Sequence, residues 1–408
     1  MTATTRAHPE LAPAQAEIVR ATLPVIADAV DEITTVFYRT LFGNHPELLR
    51  ELFNHGNQAA GSQQRALAAA IATFATYLVD PALPHPSAVL ARIGHKHASL
   101  GVTADQYRVV HDNLFAAIVE VLGADVVTAP VAAAWDRVYW LMADALIDLE
   151  KQLYIEAGVQ PGQVWRTVTV TARIDDPAGV AVFRVRAVDP ADELPGFVAG
   201  QYISVGVRLP DGARQLRQYS LIGAGGDGTL SFAVKRVAAR PGCPAGAVST
   251  WLHERVAVGD ELEISLPFGE LTIDPDATTP LVLISAGIGA TPMVGILEHL
   301  AARDQGRPVQ VLHADRSAGT HPLRARVLAL VERLERAEVA FWYAEATDGA
   351  HRGRLDLSAV PLPDDAEIYV CGGDEFLDAI RAQAAAAGLP AERVHIEQFT
   401  PTDWRLGA

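Results

Sequence analysis

Residues 281–293 read Leu281-Val282-Leu283-Ile284-Ser285-Ala286-Gly287-Ile288-Gly289-Ala290-Thr291-Pro292-Met293. Four consecutive branched apolar residues predict a strand buried on both faces. Two glycines follow, and then an apolar stretch with the composition of a buried helix. Glycines between a strand and a helix let backbone approach a phosphate and aim helix N–H groups at it. The third position of the usual dinucleotide fingerprint is Pro292 here, so the residues alone also allow a plain tight turn. Thr278 to Leu297 carries no charge and is long enough to cross a bilayer. Pro280, Gly287, Gly289, Pro292 and Gly295 interrupt it, so a soluble strand–turn–helix is expected and no membrane span.

Downstream, strand-like and helix-like runs alternate. Val309–His313, Val339–Ala344, Ile368–Cys371 and Val394–Ile396 are the strands, as expected of a parallel sheet with crossover helices. Upstream, the run Asp274-Pro275-Asp276-Ala277-Thr278-Thr279-Pro280 breaks the chain. Before it stand short alternating segments: Val168–Thr171, Val180–Val188, Tyr202–Arg208, Arg217–Ile222, Leu230–Val237 and Glu261–Leu266. Six such strands separated by Gly, Pro and Asp predict an antiparallel β-barrel. Before Ala157 the pattern is helical. Tyr107, Val110, Leu114, Ile118 and Val121 form one helix face, and Thr103 with Gln106 has the spacing of a capping box. A final helix is expected from Thr128 to Tyr154. The expected fold class is therefore multidomain: all-α over 1–157, a β-barrel over 162–275 and an α/β parallel-sheet domain over 278–408.

A chain of 408 residues suits two or three domains at about 150 residues each. Its net charge of −16 argues against nucleic acid as a partner, because phosphate binding needs basic surface. Cys243 and Cys371, the two cysteines, cannot hold a four-cysteine iron–sulfur cluster. They suit a reducing cytoplasm, and Met1 to Ala14 has no apolar export signal. A monomer is expected.

In the barrel, Arg217-Gln218-Tyr219-Ser220-Leu221 puts a cation, an aromatic face and a hydroxyl on one strand. Arg217 and Ser220 suit a pyrophosphate, and Tyr219 suits a planar ring. Gly246-Ala247-Val248-Ser249-Thr250-Trp251-Leu252 reads as a loop opening a helix, a second anion site. In this order these segments resemble the ferredoxin–NADP reductase superfamily, over about Trp165 to Trp404. The resemblance implies FAD on Tyr202, Arg217, Gln218, Tyr219, Ser220, Ser249, Thr250 and Phe399. It implies NAD(P)H on Gly287, Ile288, Gly289, Ala290, Thr291, Pro292, Cys371 and Gly372. The family's Cys-Gly-Pro turn is Cys371-Gly372-Gly373 here, a departure that bears on the local geometry.

The helical domain is the candidate electron acceptor. Its histidines are His8, His45, His55, His85, His95, His97 and His111. His97 near the end of one helix, Tyr107 on the next and Glu150 on the last could act together. A carboxylate and a phenol behind a ligating imidazole raise its basicity. From the residues alone Glu150 is equally a surface charge beside Asp148 and Lys151, and Tyr38 an ordinary half-buried tyrosine. His95 falls on the opposite helix face from His97 and is read as non-ligating.

Lys96-His97-Ala98-Ser99 followed by Asp105-Gln106-Tyr107, with the order of the three domains, resembles the flavohaemoglobins over essentially the whole chain. The resemblance implies His97 as proximal ligand of haem b, supported by Tyr107 and Glu150. It implies Tyr38 and Gln64 as distal polar groups, Phe53 and Leu67 as pocket walls, and Lys96 and Glu397 as redox-tuning charges. Gln398 stands where the family has Cys.

The implied activity is that of an NAD(P)H-dependent nitric oxide dioxygenase, which converts NO and O2 to nitrate through FAD and haem. A haem-dependent hydroperoxide or quinone reductase, a haem-based gas sensor, and a flavin reductase with a degenerate globin remain as alternatives. Asp315 and Arg316 after the second parallel strand leave NADH against NADPH open, since an acid favours the free ribose and a base its phosphate.

Overall fold

A computed structural model describes residues 11–51, 62–80, 82–83, 87–223, 225–239, 244–274, 276–303, 306–345 and 349–399. For 49, 62–66, 68 and 87–89 it describes the backbone alone. The chain divides into two compact units between Val164 and Trp165.

The first unit is helical among the described residues: α1 Pro13–Asp28, α2 Val30–Asn44, α3 Pro46–Glu51, α4 Ser62–Val79, α5 Ser87–Leu100, α6 Ala104–Leu122 and α7 Ala129–Glu156. Helix α6 begins where its sequence signal lies. The Gln106 side chain accepts from the Thr103 N–H at 2.9 Å. The Thr103 hydroxyl, however, turns to the Asp105 carboxylate at 2.6 Å instead of capping the helix. Pro130 sits in the first turn of α7, where a missing N–H leaves no hydrogen bond unmade. Phe37, Leu41, Ala75, Val138 and Ala143 are buried at the centre of the unit. After α7, Gly158 and Gly162 adopt φ of +70° and +82°, which explains why the helical pattern stops on this glycine-rich run.

The second unit opens with a closed antiparallel barrel of β1 Trp165–Asp176, β2 Val180–Ala187, β3 Tyr202–Arg208, β4 Arg214–Ile222, β5 Thr229–Lys235 and β6 Glu261–Ser265. Their order around it is β1-β2-β5-β4-β3-β6, and α8, Ala247–Arg255, follows β5 in sequence. Phe183 and Phe232 are fully buried in the barrel, stacked with centroids 5.5 Å apart. Each contributes roughly 1.5–3 kcal/mol by leaving water.

A six-stranded parallel sheet follows: β7 Leu281–Ala286, β8 Val309–Asp315, β9 Ala337–Tyr343, β10 His351–Arg352, β11 Glu367–Gly372 and β12 Val394–Gln398. Its helices are α9 Ala290–Arg303, α10 Arg324–Val331 and α11 Asp374–Ala386. The strand order is β10-β9-β8-β7-β11-β12. The chain thus grows outward from β7 on one side and then crosses to the other, leaving a switch point between β7 and β11. Ligands of open α/β sheets bind outside the carboxyl ends of strands at such a point. Among the described residues no helix is long and apolar enough to cross a membrane.

Candidate functional site

In the helical unit, close approach of α5 and α7 decides the site. A Cβ on Gly94 would lie 2.5 Å from Leu149 Cδ2, so a larger residue there would require the Leu149 side chain to shift. One turn beyond Gly94 is His97, and next to Leu149 is Glu150. His97 Nδ1 lies 2.9 Å from Glu150 Oε1 and 3.0 Å from the Tyr107 hydroxyl. The Tyr107 hydroxyl itself donates a short hydrogen bond to Glu150 Oε1. Glu150 is 2 % exposed, whereas its neighbours Asp148 and Lys151 face solvent. Burial, and then the Glu150 charge, push the Tyr107 hydroxyl far above its ordinary range, so it stays a donor.

Two more tyrosines fix the frame. Tyr139 donates to the Tyr107 carbonyl at 2.6 Å, and Tyr154 donates to the Val102 carbonyl at 2.6 Å. Val102 N–H in turn holds the His97 carbonyl at 3.0 Å. With a carboxylate at Nδ1, the imidazole proton belongs on that nitrogen, a tautomer assigned from the hydrogen bonds. Nε2 then carries the free lone pair, and it has no partner among the described residues. A neutral imidazole with a carboxylate behind it is the donor set that suits haem iron.

Tyr38 lies on α2, 5 % exposed, with its ring 4.7 Å from Phe37 and 5.5 Å from Phe42 between centroids. Burial raises its pKa, which keeps the hydroxyl protonated. Leu67 on α4 is half-buried and packs on the helical core. Gln64 falls in the first turn of α4, but its side chain lies outside the described residues, as does the whole of Phe53. Lys96 is half-buried on α5.

In the barrel, β3 and β4 bring the expected flavin residues onto neighbouring strands. Tyr202 pairs with Ser220, Ile203 with Tyr219, Ser204 with Gln218 and Val205 with Arg217. Gln218 donates to the Ser204 hydroxyl at 3.0 Å, and the Tyr219 ring stacks on Phe232 at 5.7 Å. Burial lowers the pKa of Arg217, which makes no ion pair among the described residues and hydrogen-bonds only the adjacent Leu216 carbonyl, at 2.7 Å. A largely buried guanidinium without a carboxylate is a place for an external anion. Gly246 caps α8, and Ser249 in its first turn donates to the Gly246 carbonyl at 3.1 Å. Thr250 Oγ1 is buried without a hydrogen-bond partner. An orphaned hydroxyl in the first turn of a helix fits a phosphate acceptor there.

At the sheet's switch point, Gly287 takes φ +53° and Gly287–Gly289 forms a single tight turn. A Cβ on Gly289 would lie 2.2 Å from the Cys371 carbonyl oxygen. The turn after β7 and the end of β11 therefore meet backbone to backbone, which joins the two segments expected to hold the nicotinamide nucleotide. Pro292 falls in the first turn of α9, where no intrahelical N–H is required, so its departure from the glycine fingerprint costs the helix nothing. A Cβ on Gly295 would lie 2.4 Å from the Leu221 carbonyl, so α9 lies directly against β4. That contact sets the Arg217–Ser220 strand beside the Gly287–Pro292 turn. Gly373, in place of the family's proline, has φ −75°, an angle that proline itself adopts. Glu397 is buried on β12, where Cys371 pairs with it, and Phe399 beyond the strand is 44 % exposed.

One residue was missed by the sequence reading. Lys235, the last residue of β5, brings Nζ to 3.9 Å from where a Gly287 Cβ would stand. It makes no ion pair among the described residues. Nothing in the local sequence distinguishes it from any strand-end lysine, since only the fold carries it to the switch point.

The globin family matches residues 35–146, and the oxidoreductase NAD-binding domain family matches residues 283–382. A flavohemoprotein of Bordetella parapertussis is 40 % identical over 404 residues, covering 95 % of this chain and 98 % of that protein. One of Rhizobium meliloti is 37 % identical over 400 residues, covering 94 % and 97 %. A flavohemoglobin from Malassezia yamatoensis, solved with bound FAD and heme, superposes with a TM-score of 0.88 at 34 % identity, covering 96 % of this chain and all of that one. The FAD/NAD-binding domain of a nitric oxide dioxygenase from Vibrio cholerae matches 58 % of this chain at 32 % identity, with a TM-score of 0.55. With similarity at this level running through both units, the chain belongs to the flavohemoprotein family.

Proposed function

We propose that this chain is an NAD(P)H-dependent nitric oxide dioxygenase with haem b, FAD and NAD(P)H as its cofactors. Two NO, two O2 and one NAD(P)H give two nitrate ions, NAD(P)+ and one proton. Residues 1–157 would form the haem module, 162–275 the FAD module and 278–408 the NAD(P) module. Its two cysteines support a reducing compartment, the cytoplasm. When bound, these groups supply a two-electron donor, a carrier that releases electrons singly, and an iron centre that activates dioxygen.

The residues of the chain supply the rest. His97 would hold the haem through Nε2, while Glu150 at Nδ1 would keep the proton there and make the imidazole a stronger donor. Tyr107 stays protonated and fixes the carboxylate. Tyr38, kept neutral by burial, would offer a hydrogen-bond donor to a gas ligand of the haem, a preorganised electrostatic effect. Phe37 and Leu67 keep the surroundings apolar, which admits small uncharged gases. Arg217 and the first turn of α8 neutralise the FAD pyrophosphate, and the Gly287–Pro292 turn receives that of the nicotinamide nucleotide. Lys96 and Glu397 are the charges we assign to redox tuning.

The observation that carries this reading is the His97–Tyr107–Glu150 set. Burying a carboxylate costs several kcal/mol, on the order of what its ion pair returns, and apolar residues would fill the same space as well or better. A helical domain that had only to fold would have no use for it. The test is to follow NO and nitrate together with NAD(P)H oxidation in the purified protein. Rapid NO loss with stoichiometric nitrate is expected. The His97→Ala variant should lose haem absorption and NO consumption, yet keep NADH-dependent reduction of ferricyanide. Haem retained by that variant would overturn the ligand assignment. Turnover driven by hydroperoxide alone, and not by NO with O2, would overturn the reaction.

A further inference from the structure

A dinucleotide seated at the β7/β11 switch point runs its adenosine half across the carboxyl end of the neighbouring strand β8. Asp315 ends that strand. An acid at this place ordinarily accepts a hydrogen bond from the free 2′-hydroxyl of the ribose. Here the acid is turned into the protein. Its Oδ1 accepts from the Arg316 N–H at 2.6 Å and from the Thr320 hydroxyl at 2.6 Å. Its Oδ2 is enclosed, 3.7 Å from His313 Nε2, and the side chain is 10 % exposed. Burial works against its charge, but the nearby His313, the hydrogen bonds from Thr320 and the Arg316 N–H, and the Lys235 charge hold the carboxyl below its usual range.

The floor beneath Asp315 is equally committed. The rings of His313 and His321 stack at 3.6 Å and 14°. His313 Nδ1 meets the Ser285 hydroxyl at 2.8 Å, and His321 Nδ1 meets the Tyr343 hydroxyl at 2.9 Å. To face a ribose, Asp315 would have to leave two charge-assisted hydrogen bonds.

Arg316, next in the chain, is exposed, and its side chain makes no hydrogen bond or ion pair among the described residues. Its backbone is nevertheless fixed, because the Arg316 carbonyl accepts from the Glu345 N–H at 2.9 Å. Among the described residues, the acids near this end of the sheet are the half-buried Asp315 and the exposed Glu345, which does not pair with Arg316. Among the described residues the cations are Arg316, Lys235, Arg324 and the exposed Arg352, which pairs with Tyr343 at the end of β10, and Arg324 is bonded to a neutral group, the Tyr343 hydroxyl at 3.2 Å. A free guanidinium on an anchored backbone matches the fork geometry of a phosphate.

We infer that Arg316, and not Asp315, reads the adenosine ribose, and that the site prefers the 2′-phosphorylated dinucleotide, NADPH, over NADH. This rests on the reading of the crevice as a nicotinamide dinucleotide site. The test is calorimetric titration of the full-length, haem- and FAD-loaded protein with 2′,5′-ADP and with 5′-ADP. The wild type should bind 2′,5′-ADP about tenfold more tightly, the gain of one charge-assisted contact. Arg316→Ala should erase that difference while leaving the 5′-ADP affinity in place, and Arg316→Lys should keep part of it. A wild type that binds 5′-ADP as tightly as 2′,5′-ADP overturns the inference and leaves the dinucleotide site standing. So does an Arg316→Ala variant with an unchanged ratio. Failure of both probes to bind overturns the dinucleotide reading itself.

Discussion

Glu150 shows how little a single residue discloses by itself. In sequence it stands between Leu149 and Lys151 and close to Asp148, a cluster that reads as solvated charge. The fold separates these residues: Glu150 is buried against His97 and Tyr107, while Asp148 and Lys151 stay at the surface. The absence of a side chain at Gly94 leaves room for the Leu149 side chain, the neighbour of Glu150. A contact between positions 53 residues apart in the chain has no local signature, so the residues alone left it level with plain surface charge and the family resemblance favoured it. Removing the charge while keeping the shape isolates its effect. Glu150→Gln should retain haem, because His97 Nε2 is untouched. The imidazole loses its anionic acceptor and becomes a weaker donor, so the iron–histidine stretching frequency should fall and the haem reduction potential rise. NO turnover should drop about 10–100-fold, the usual cost of losing a group that orients a metal ligand. Resonance Raman spectroscopy of the ferrous protein checks this, and an unmoved stretch would place Glu150 outside the electronics of the site.

Among the elements, periodicity located the six barrel strands and five strands of the parallel sheet but not the two-residue β10, and strand ends were harder to read. The first barrel strand was expected over Val168–Thr171 and runs from Trp165 to Asp176. A register shift between Val170 and Ala172 breaks the alternation, and the polar Arg173, Asp175 and Asp176 carry the pairing with β2 on to Val180, with the Arg173 guanidinium 5.6 Å from the Phe183 ring. In the same way β4 starts at Arg214, three residues before the expected Arg217. The turn after β7 was legible as Gly-Ile-Gly, whereas its partner was not. That partner is the backbone of Cys371 and Gly372, 82 residues beyond Gly289. This meeting makes a prediction about the pair of elements. Gly289→Ala would force Cβ against the Cys371 carbonyl and push the turn off the end of β11. The KM for NAD(P)H should rise at least about tenfold and stability fall by about 1–3 kcal/mol, the range for overpacking a tight contact. Flavin content should be unchanged, because Tyr202, Arg217, Tyr219 and Ser220 lie on the barrel strands and Ser249 and Thr250 on α8, away from the Gly289–Cys371 contact. Gly373→Pro is the control: a Cβ there meets nothing within 4 Å and φ is already −75°. It should leave KM alone and add about 0.4–1 kcal/mol by restricting the unfolded chain. Steady-state kinetics and thermal melts of both variants decide the matter; an unaffected KM in Gly289→Ala would show that the close approach has no part in nucleotide binding.

For the whole molecule, the question is whether the electron-supplying half depends on the helical half for its own fold. Among the described residues, the hydrophobic clusters run from Leu11 to Ile147 in the first unit and from Val168 onward in the second. The chain leaves α7 through Gly158 and Gly162, both in the left-handed region, and enters the barrel at Trp165. That tryptophan is covered by the Arg214 guanidinium 3.9 Å above its ring, a contact made within the second unit. Arg217, Tyr219, the first turn of α8 and the Gly287–Gly289 turn also belong to the second unit. A fragment of residues 163–408 therefore keeps its core and every residue assigned to FAD and the nicotinamide nucleotide. It should purify yellow, melt cooperatively and reduce ferricyanide with NADH or NADPH at a rate within about threefold of the full chain, a difference of less than 1 kcal/mol in barrier. It should contain no haem and consume no NO. The comparison is direct, since both proteins can be assayed with the same acceptor at equal flavin concentration. If the fragment failed to hold FAD, the barrel would need the helical unit for its stability, and the two halves would have to be treated as one folding system instead of as a donor module serving an acceptor.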